Sequence, residues 1–374
     1  MKRSGTPLGA RPVALRPTAP AVLVALALMT PLFARVPAAL GAEAAPTPAQ
    51  TPTPTGPTTT PPAAPPAAGR VKLVLAKVGG SPPFALLGGR ITVRGIVAPY
   101  VAGQTVRVSF YREGRKVEVR SLSVRAGRSA GAAGQFRISF ASRYPGRVEA
   151  RATHYATAQQ GAFSGRSPSV RFVNPNVGPG TQGQSVRLLQ SELDVLHYAV
   201  PLSGSFEDAT GRALIAYRKV TGLERAPAAG RRVFELLGHG AGGFHVRYPQ
   251  DGRHVEADLT KQVLAEIEPG GHVRTIYTMS SGKPSTPTVI GHFQVYLKTP
   301  GVNSEDMVDS NYFIRGYAIH GYPEVPTYAA SHGCLRVPIP DAAAIYSWVR
   351  AGTAVDVYNE DGGGNRTAHG NAGP

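Results

Sequence analysis

Between residues 70 and 173, apolar and polar residues alternate along short runs that Gly-rich breaks separate. Three of these runs read R-I-T-V-R-G-I-V, T-V-R-V-S-F-Y-R and Q-F-R-I-S-F-A. A period of two places successive side chains on opposite faces of a strand, so Val106, Val108 and Phe110 share one predicted buried face. The pattern predicts a β-sandwich over residues 70–173, and no residue in it has a catalytic context.

Residues 174–241 change to a helical period and predict three short helices. The first stretch reads G-Q-S-V-R-L-L-Q-S-E-L-D-V-L-H-Y, and the second reads D-A-T-G-R-A-L-I-A-Y-R-K-V. Asp208 is the predicted N-cap of the second helix, because its carboxylate can accept from free backbone N–H groups. The third helix is predicted over residues 231–237. The apolar face of the first helix is formed by Val186, Leu189, Leu193 and Leu196.

Residues 242–358 return to a strand-rich pattern. The runs H-V-E-A-D, V-L-A-E-I-E, R-T-I-Y-T-M and G-H-F-Q-V-Y-L-K predict four strands. A later stretch, P-D-A-A-A-I-Y-S-W-V-R-A-G, predicts one helix with Pro340 in its first turn and Gly352 at its end. The chain is therefore predicted to be multi-domain and mainly β.

The N-terminus has the pattern of a secretory signal. Basic residues precede an apolar run over residues 21–29, and small residues follow at A-L-G-A-E-A. We predict a signal peptide over 1–44, a Pro/Thr-rich linker over 45–69 and a disordered Gly/Asn-rich tail over 359–374. An uncleaved anchor is the alternative, although the apolar run is shorter than the roughly 20 residues of a membrane span.

Export and charge together limit the partners. The formal net charge of +17 suits anionic molecules, and export disfavours nucleic acid while favouring the anionic polymers of a bacterial envelope. The chain holds one cysteine, so no internal disulfide can form and the domains depend on their apolar cores. A leftover cysteine in an exported chain is a core residue, an intermolecular link or a reactive thiol.

The context of Cys334 favours the reactive thiol. The cysteine lies in S-H-G-C-L-R, and A-I-H-G places His320 14 positions before it. A thiolate attacks carbonyls, and a neighbouring imidazole can take the thiol proton and return it to a leaving amine. The imidazole needs an orienting acceptor, for which the Gly321 carbonyl is nearest in sequence. The amides of His332, Gly333 and Cys334 are the predicted oxyanion donors.

The stretch H-G-Y-P-E-V-P-T-Y-A-A-S-H-G-C-L-R resembles the signature of the YkuD-type L,D-transpeptidase catalytic domain, and the similarity extends over about residues 244–358. The resemblance implies a mainly-β fold with an active-site lid, expected at residues 302–317. It implies that Cys334 is the nucleophile, His320 the base and acid, and the Gly321 carbonyl its orienting group. It also implies that Ser331, His332 and Gly333 shape the cysteine loop and that Arg336 contacts substrate or braces the loop. Ser331, Tyr312 and Tyr317 are further expected substrate contacts.

The other two regions carry weaker resemblances. Residues 174–241 are similar to the three-helix peptidoglycan-binding domain in G-x-x-V-x-x-L-Q-x-x-L-x-x-L-x-Y and A-L-x-x-Y-x-x-x-x-G-L, although Tyr217 and Arg218 replace the usual Phe and Gln. Residues 70–173 resemble bacterial immunoglobulin-like spacer modules in pattern alone.

The resemblance implies an exported enzyme that needs no cofactor or metal and cross-links peptidoglycan by acyl transfer from a tetrapeptide stem to an amine. A hydrolase or L,D-carboxypeptidase acting on the same stems shares the nucleophile chemistry and stays open. A metal site formed by His320, His332 and Cys334 is a third alternative. The fourth is a wall-binding scaffold without activity. A papain-like enzyme is disfavoured, because its cysteine precedes its histidine in the chain.

Overall fold

The structure is a computed structural model that describes residues 65–76, 78–127 and 133–360. The predicted signal peptide, residues 45–64 of the predicted linker and residues 361–374 of the predicted tail lie outside the described residues. Within those ranges, no helix is both long enough and apolar enough to cross a membrane.

Residues 70–173 form two β-sheets whose facing side chains make one apolar core. One sheet has the order β1-β3-β6, and the other has the order β2-β9-β7-β4-β5 with β8 paired to β7. The predicted face of Val106, Val108 and Phe110 is buried in this core. The strands are β1 (Arg70–Ala76), β2 (Phe84–Leu86), β3 (Arg90–Ala98), β4 (Thr105–Arg112), β5 (Arg115–Ser123), β6 (Gly134–Ala141), β7 (Gly146–His154), β8 (Phe163–Arg166) and β9 (Val170–Val173).

Three helices follow where the helical period predicts them. They are α1 (Gln184–Val195), α2 (Asp208–Val220) and α3 (Arg231–Gly238). The prediction of Asp208 as an N-cap is wrong by one position. Glu207 has the extended backbone of the N-cap, no side chain caps the helix, and Asp208 is its first residue. Its carboxylate still lies in the first turn, where negative charge complements the helix dipole.

Residues 254–358 form two further sheets and one helix. The five-stranded sheet has the order β12-β11-β10-β18-β13, and the four-stranded sheet has the order β14-β15-β16-β17. An apolar core that includes Val255, Phe313 and Val337 joins the two sheets. The elements are β10 (His254–Asp258), β11 (Val263–Glu268), β12 (His272–Thr278), β13 (Gly291–Gln294), β14 (Leu297–Val302), β15 (Val308–Ile314), β16 (Tyr317–Tyr322), β17 (Leu335–Pro338), α4 (Ile339–Trp348) and β18 (Ala354–Tyr358).

Two boundary predictions in this region are wrong. The run G-H-F-Q-V-Y-L-K is not one strand, because the chain leaves β13 at Val295, which is buried, and enters the other sheet as β14. Helix α4 ends at Trp348, since Val349 already has an extended backbone. Gly352 lies in the turn that follows, where its φ of 83° suits a glycine.

The three helices pack directly on the five-stranded sheet. Val263, Ala265 and Ile267 of β11 belong to the same core as the inward faces of the helices, whereas Leu264 belongs to the core between the two sheets. Strand β11 is therefore buried on both faces from Val263 to Ile267, a stretch that includes the buried Glu266. The helices thus form a third layer of the domain that carries Cys334, and their contacts with it are extensive.

Candidate active site

Two paired parallel strands place His320 and Cys334 on neighbouring segments of the chain. Strand β16 pairs with β17 so that Ile319 lies opposite Leu335 and His320 opposite Arg336. Cys334 immediately precedes β17. Parallel neighbours need a crossover of a dozen or more residues, which explains the spacer that separates the histidine from the cysteine.

The His320 ring is buried, with 2% of the residue exposed. Its Nδ1 lies 3.0 Å from the Gly321 carbonyl oxygen. A carbonyl only accepts, so Nδ1 carries the proton and Nε2 keeps a free lone pair. Burial lowers the pKa of His320 to about 4, and the positive charge of Arg336 acts in the same direction while the Gly321 bond opposes it. The imidazole is therefore neutral at pH 7 and able to accept a proton.

The Cys334 thiol is partly buried, and its Sγ lies 3.7 Å from the Gly316 carbonyl oxygen. Burial raises the pKa of the thiol, and the negative charge of Glu305 adds to this effect. A backbone hydrogen bond with Ala318 and the charge of Arg336 lower the pKa in part. The thiol is therefore protonated at neutral pH and needs a base before it can attack.

Ser331 organises the cysteine loop from inside. Its side chain is buried, and its hydroxyl donates to the Cys334 carbonyl at 2.6 Å and accepts from the Gly333 N–H at 3.0 Å. This geometry departs from two expectations. The Gly333 N–H is already bonded, so the candidate oxyanion donors are the amides of His332 and Cys334. Ser331 is enclosed within the loop, which does not suit the predicted substrate contact.

Gly333 has a backbone that other residues rarely adopt, with a φ of 125°. A Cβ at this position would lie 1.8 Å from Cε1 of Tyr317. The Tyr317 ring therefore packs against the glycine itself, which holds the loop close to β16.

We expect Gly333→Ala to displace the cysteine loop and to cost about 1–3 kcal/mol of stability, the typical range for backbone strain. Alkylation of Cys334 by iodoacetamide and thermal unfolding would report both effects. Gly243→Ala is the matched control, because a Cβ there meets no atom within 4 Å and the residue lies away from the cysteine loop. Equal alkylation rates in the two variants would contradict the proposed tight packing.

A segment before β13 supports the cysteine loop from the other side. Thr288 is buried, and its Oγ1 accepts from the Gly282 N–H and donates to the Gly333 carbonyl, both at 2.8 Å. The Ser281 carbonyl accepts from the amides of Ala330 and Ser331. These residues were missed by sequence reasoning, although they lie in the M-S-S-G-K-P-S-T-P-T stretch that resembles the family.

Arg336 stacks on an aromatic residue beside the histidine. Its guanidinium carbon lies 3.9 Å from the centre of the Tyr322 ring, and that ring meets His320 edge-on at 5.7 Å. Tyr322 was not singled out from the sequence, although it follows His320 by two positions. The stack keeps a positive charge close to both His320 and Cys334.

The remaining predicted residues surround the loop. His332 is exposed, and its Nε2 lies 3.1 Å from Lys283 Nζ, so this ring nitrogen accepts from the ammonium group. Tyr312 lies opposite Ala318 in the sheet, and its hydroxyl accepts from the Asn303 side chain at 3.1 Å. The expected lid, residues 302–317, corresponds to β15 and the turns that flank it.

The structure does not bring together the ligands of the metal alternative. In the part of the chain that the structure describes, one group of three His, Cys, Asp or Glu side chains is close enough to share an ion, and it comprises Asp251, His292 and Asp356. His320, His332 and Cys334 do not form such a group.

The two-sheet domain and its cysteine loop define a known class of catalytic domain. Residues 252–357 match YkuD, the L,D-transpeptidase catalytic domain. An L,D-transpeptidase from Xylanimonas cellulosilytica has 32% sequence identity, with 50% of this chain and 98% of that chain covered and a TM-score of 0.45. Residues 252–357 are therefore a YkuD-type L,D-transpeptidase catalytic domain.

Two further similar structures are more distant. An L,D-transpeptidase from Stackebrandtia nassauensis has 21% identity, 51% and 96% coverage of the two chains and a TM-score of 0.32. One from Mycobacterium tuberculosis has 21% identity, 29% and 57% coverage and a TM-score of 0.27. Among curated proteins, no match to the chain was found.

Proposed function

We propose that the protein is an exported L,D-transpeptidase that cross-links peptidoglycan through a thioester on Cys334. The observation that carries this proposal is the hydrogen bond from His320 Nδ1 to the Gly321 carbonyl. This bond fixes the tautomer in which Nε2 is the proton acceptor, as a general base requires. The proposal needs no metal or cofactor.

In the acylation step, His320 Nε2 takes the thiol proton as sulfur attacks an amide carbonyl of a tetrapeptide stem. The carbonyl oxygen becomes an oxyanion, for which the amides of His332 and Cys334 are the proposed donors. Collapse of this intermediate breaks the C–N bond, and His320 returns its proton to the leaving nitrogen. The products are a thioester on Cys334 and a free terminal D-amino acid.

In the transfer step, the amine of a second stem attacks the thioester. His320 takes a proton from the attacking nitrogen, the C–S bond breaks, and the proton returns to the thiolate. The result is a new amide between two stems and a regenerated thiol. Water in place of the amine gives the L,D-carboxypeptidase reaction, which uses the same groups.

Arg336 supports the thiolate that forms during both steps. Its positive charge lowers the pKa of Cys334 and also that of His320, so it favours sulfur ionisation without favouring a resting imidazolium. We propose that Arg336, Tyr312 and Tyr317 also contact the stem peptide. Ser331 and Gly333 act instead by holding the loop in shape.

The helical region is proposed to bind peptidoglycan as well as to support the catalytic sheet. Tyr217 and Arg218, which depart from the family pattern, are used internally. Tyr217 is fully buried, and the Arg218 guanidinium donates to the carbonyls of Glu224 and Ala228. Any glycan contact would therefore use other side chains.

The sandwich is proposed to be an immunoglobulin-like spacer, and anionic wall polymers are proposed partners of the basic chain.

The test is mass spectrometry of the full chain incubated with a purified disaccharide tetrapeptide, beside Cys334→Ala. We expect a covalent adduct on Cys334 and a cross-linked dimer, both absent from the variant. Shortened stems without a dimer would favour the carboxypeptidase. The absence of both adduct and product would contradict acyl transfer on these stems and favour the scaffold alternative.

A further inference from the structure

A second group of ionisable side chains lies on the five-stranded sheet. Asp356 of β18 and His292 of β13 are direct partners in the antiparallel register. Their neighbours Val355 and Phe293 point into the core between the two sheets, so Asp356 and His292 lie on the opposite face. Asp251, in the segment before β10, approaches the same pair. One ligand atom from each of the three residues lies within 4.8 Å of the other two.

The contacts within this group leave one acceptor unused. His292 Nδ1 lies 2.6 Å from Asp356 Oδ1 and 4.0 Å from Asp251 Oδ2. Asp356 is only 1% exposed, and its Oδ2 has no hydrogen-bond partner among the described residues. A buried carboxylate oxygen without a partner is costly, and such an atom calls for a specific explanation.

A neighbouring buried carboxylate on the same face of the sheet has donors for both of its oxygens. Glu256 lies opposite Asp356 in the parallel register with β10 and is also buried. Its two oxygens accept from the amides of Arg247 and Tyr248 and from the Tyr358 hydroxyl. The fold therefore supplies hydrogen-bond donors to both oxygens of Glu256. It leaves one oxygen of Asp356 without a donor, beside Asp251 and His292.

We propose that Asp251, His292 and Asp356 bind one divalent transition-metal ion. The ion would give Asp356 its missing partner and would offset the repulsion between the two carboxylates. An imidazole nitrogen with two carboxylate oxygens suits Zn²⁺ or Mn²⁺, whereas Ca²⁺ and Mg²⁺ prefer oxygen ligands alone. On binding, His292 gives up the proton on Nδ1, which leaves to solvent while the neutral ring keeps a proton on Nε2, and Nδ1 exchanges its hydrogen bond to Asp356 for a bond to the metal.

The site would join parts of the chain that are far apart in sequence. Asp251 belongs to the connection between α3 and β10, whereas His292 and Asp356 belong to two neighbouring strands. Tyr248 packs edge-on against the His292 ring with 4.7 Å between ring centres, which helps to hold the ring in place. A bound ion would therefore fasten the connecting segment to the catalytic sheet, a structural role separate from the chemistry at Cys334.

The test is a Zn²⁺ titration of the full chain carrying Cys334→Ala, with any affinity tag removed, so that the thiol cannot bind the metal. We expect one Zn²⁺ per chain by elemental analysis. Thermal unfolding should shift upward by about 5 °C when Zn²⁺ is at a hundredfold excess over its Kd. The same titration with Mn²⁺, Ca²⁺ and Mg²⁺ tests the ligand argument.

The informative variant is Asp251→Asn, because Asp251 lies outside the strands and its loss leaves the sheet intact. We expect the Zn²⁺ affinity of this variant to fall by about a hundredfold. Substitution of residues that only support a metal ligand costs up to about that much, and Asp251 is a proposed ligand itself. The Zn²⁺-induced shift in thermal unfolding should disappear. Asp194→Asn, on an exposed position of α1, is the matched control and should keep both. Unchanged binding by Asp251→Asn, a preference for Ca²⁺ or Mg²⁺, or no bound metal in the parent would each overturn the proposal.

Discussion

Replacing His320 with glutamine should slow acylation of Cys334 by about 10³-fold, within the range that a general base contributes. Glutamine keeps a polar side chain of similar length but cannot take the thiol proton. The thiol of Cys334 has a raised pKa, so little thiolate forms at pH 7 without the imidazole. Single-turnover formation of the acyl adduct, followed by mass spectrometry, measures the effect directly.

The pH dependence gives a second and sharper readout of the same variant. In the parent, the rate should rise as pH rises through the His320 pKa of about 4, because the base must be neutral. It should then stay level until the pH approaches the raised pKa of the thiol. In His320→Gln the plateau should be lost, and the rate should keep rising through the alkaline range, because the reaction then depends on free thiolate.

His272→Gln is the matched control, since His272 is exposed on β12. Its rate and pH profile should equal those of the parent. A His320→Gln variant with a normal plateau at neutral pH would show that another group deprotonates the thiol. A variant that fails to react with iodoacetamide even at high pH would indicate a displaced loop rather than a lost base.

The alternation of apolar residues predicts strands β3 to β7 of the sandwich and misses β1, which spans seven residues, and the short strands. Strands β3 and β7 each repeat the alternation over nine residues. Strands β2 and β8 span only three and four residues, too few for a period to be recognised. The break between β13 and β14 was also missed, because burial of Val295 at the corner depends on tertiary packing rather than on local sequence.

The candidate nucleophile and base could be named from the sequence because chemistry restricts them to a few residue types at a characteristic spacing. Their supports could not, because these act across long sequence separations. Thr288 bonds to a carbonyl 45 positions away, and Lys219 bonds to one 60 positions away. The sequence predicted the three helices, but nothing in the sequence of β11 distinguished it from a strand that is buried on one face. The sequence did not indicate that the helices complete the core of the catalytic domain.

Lys219→Met should destabilise the catalytic domain as well as the helices, by about 1–3 kcal/mol, as expected when buried polar acceptors lose their donor. The Lys219 ammonium is buried and donates to the Gln262 carbonyl, the Thr278 hydroxyl and the Met279 carbonyl at 2.7–2.9 Å. Methionine fills similar space but removes the donor to the Thr278 hydroxyl and the Met279 carbonyl, while the Gln262 carbonyl still accepts from the Met279 N–H. We expect the midpoint of thermal unfolding to fall by about 5 °C.

The same substitution should slow acylation, because Lys219 supports the cysteine loop through a chain of hydrogen bonds. Gln262, whose carbonyl accepts from Lys219, bonds to the Ser281 amide and hydroxyl through its side chain. The Ser281 carbonyl in turn accepts from the amides of Ala330 and Ser331. Loosening this chain should reduce the acylation rate even at temperatures where the variant remains folded.

The pH dependence of stability distinguishes the buried charge from simple packing. Burial lowers the pKa of Lys219 from 10.5 to about 7. Between these values the unfolded chain binds more protons than the folded chain, so this group makes the free energy of unfolding increase with pH from about 7 to 10.5. In Lys219→Met this contribution should disappear, whereas Lys72→Met, at an exposed position of β1, should keep it.

These results would establish that the helices are part of the catalytic unit rather than a module that only holds the wall nearby. The physical reason is that Val263, Ala265 and Ile267 of β11 share one core with the helices, and that the Lys219 ammonium connects helix α2 to the chain of hydrogen bonds behind the cysteine loop. If Lys219→Met unfolded within 1 °C of the parent and acylated at the parental rate, the helices would be a separable attachment. Deleting them would then impair wall binding without impairing the chemistry.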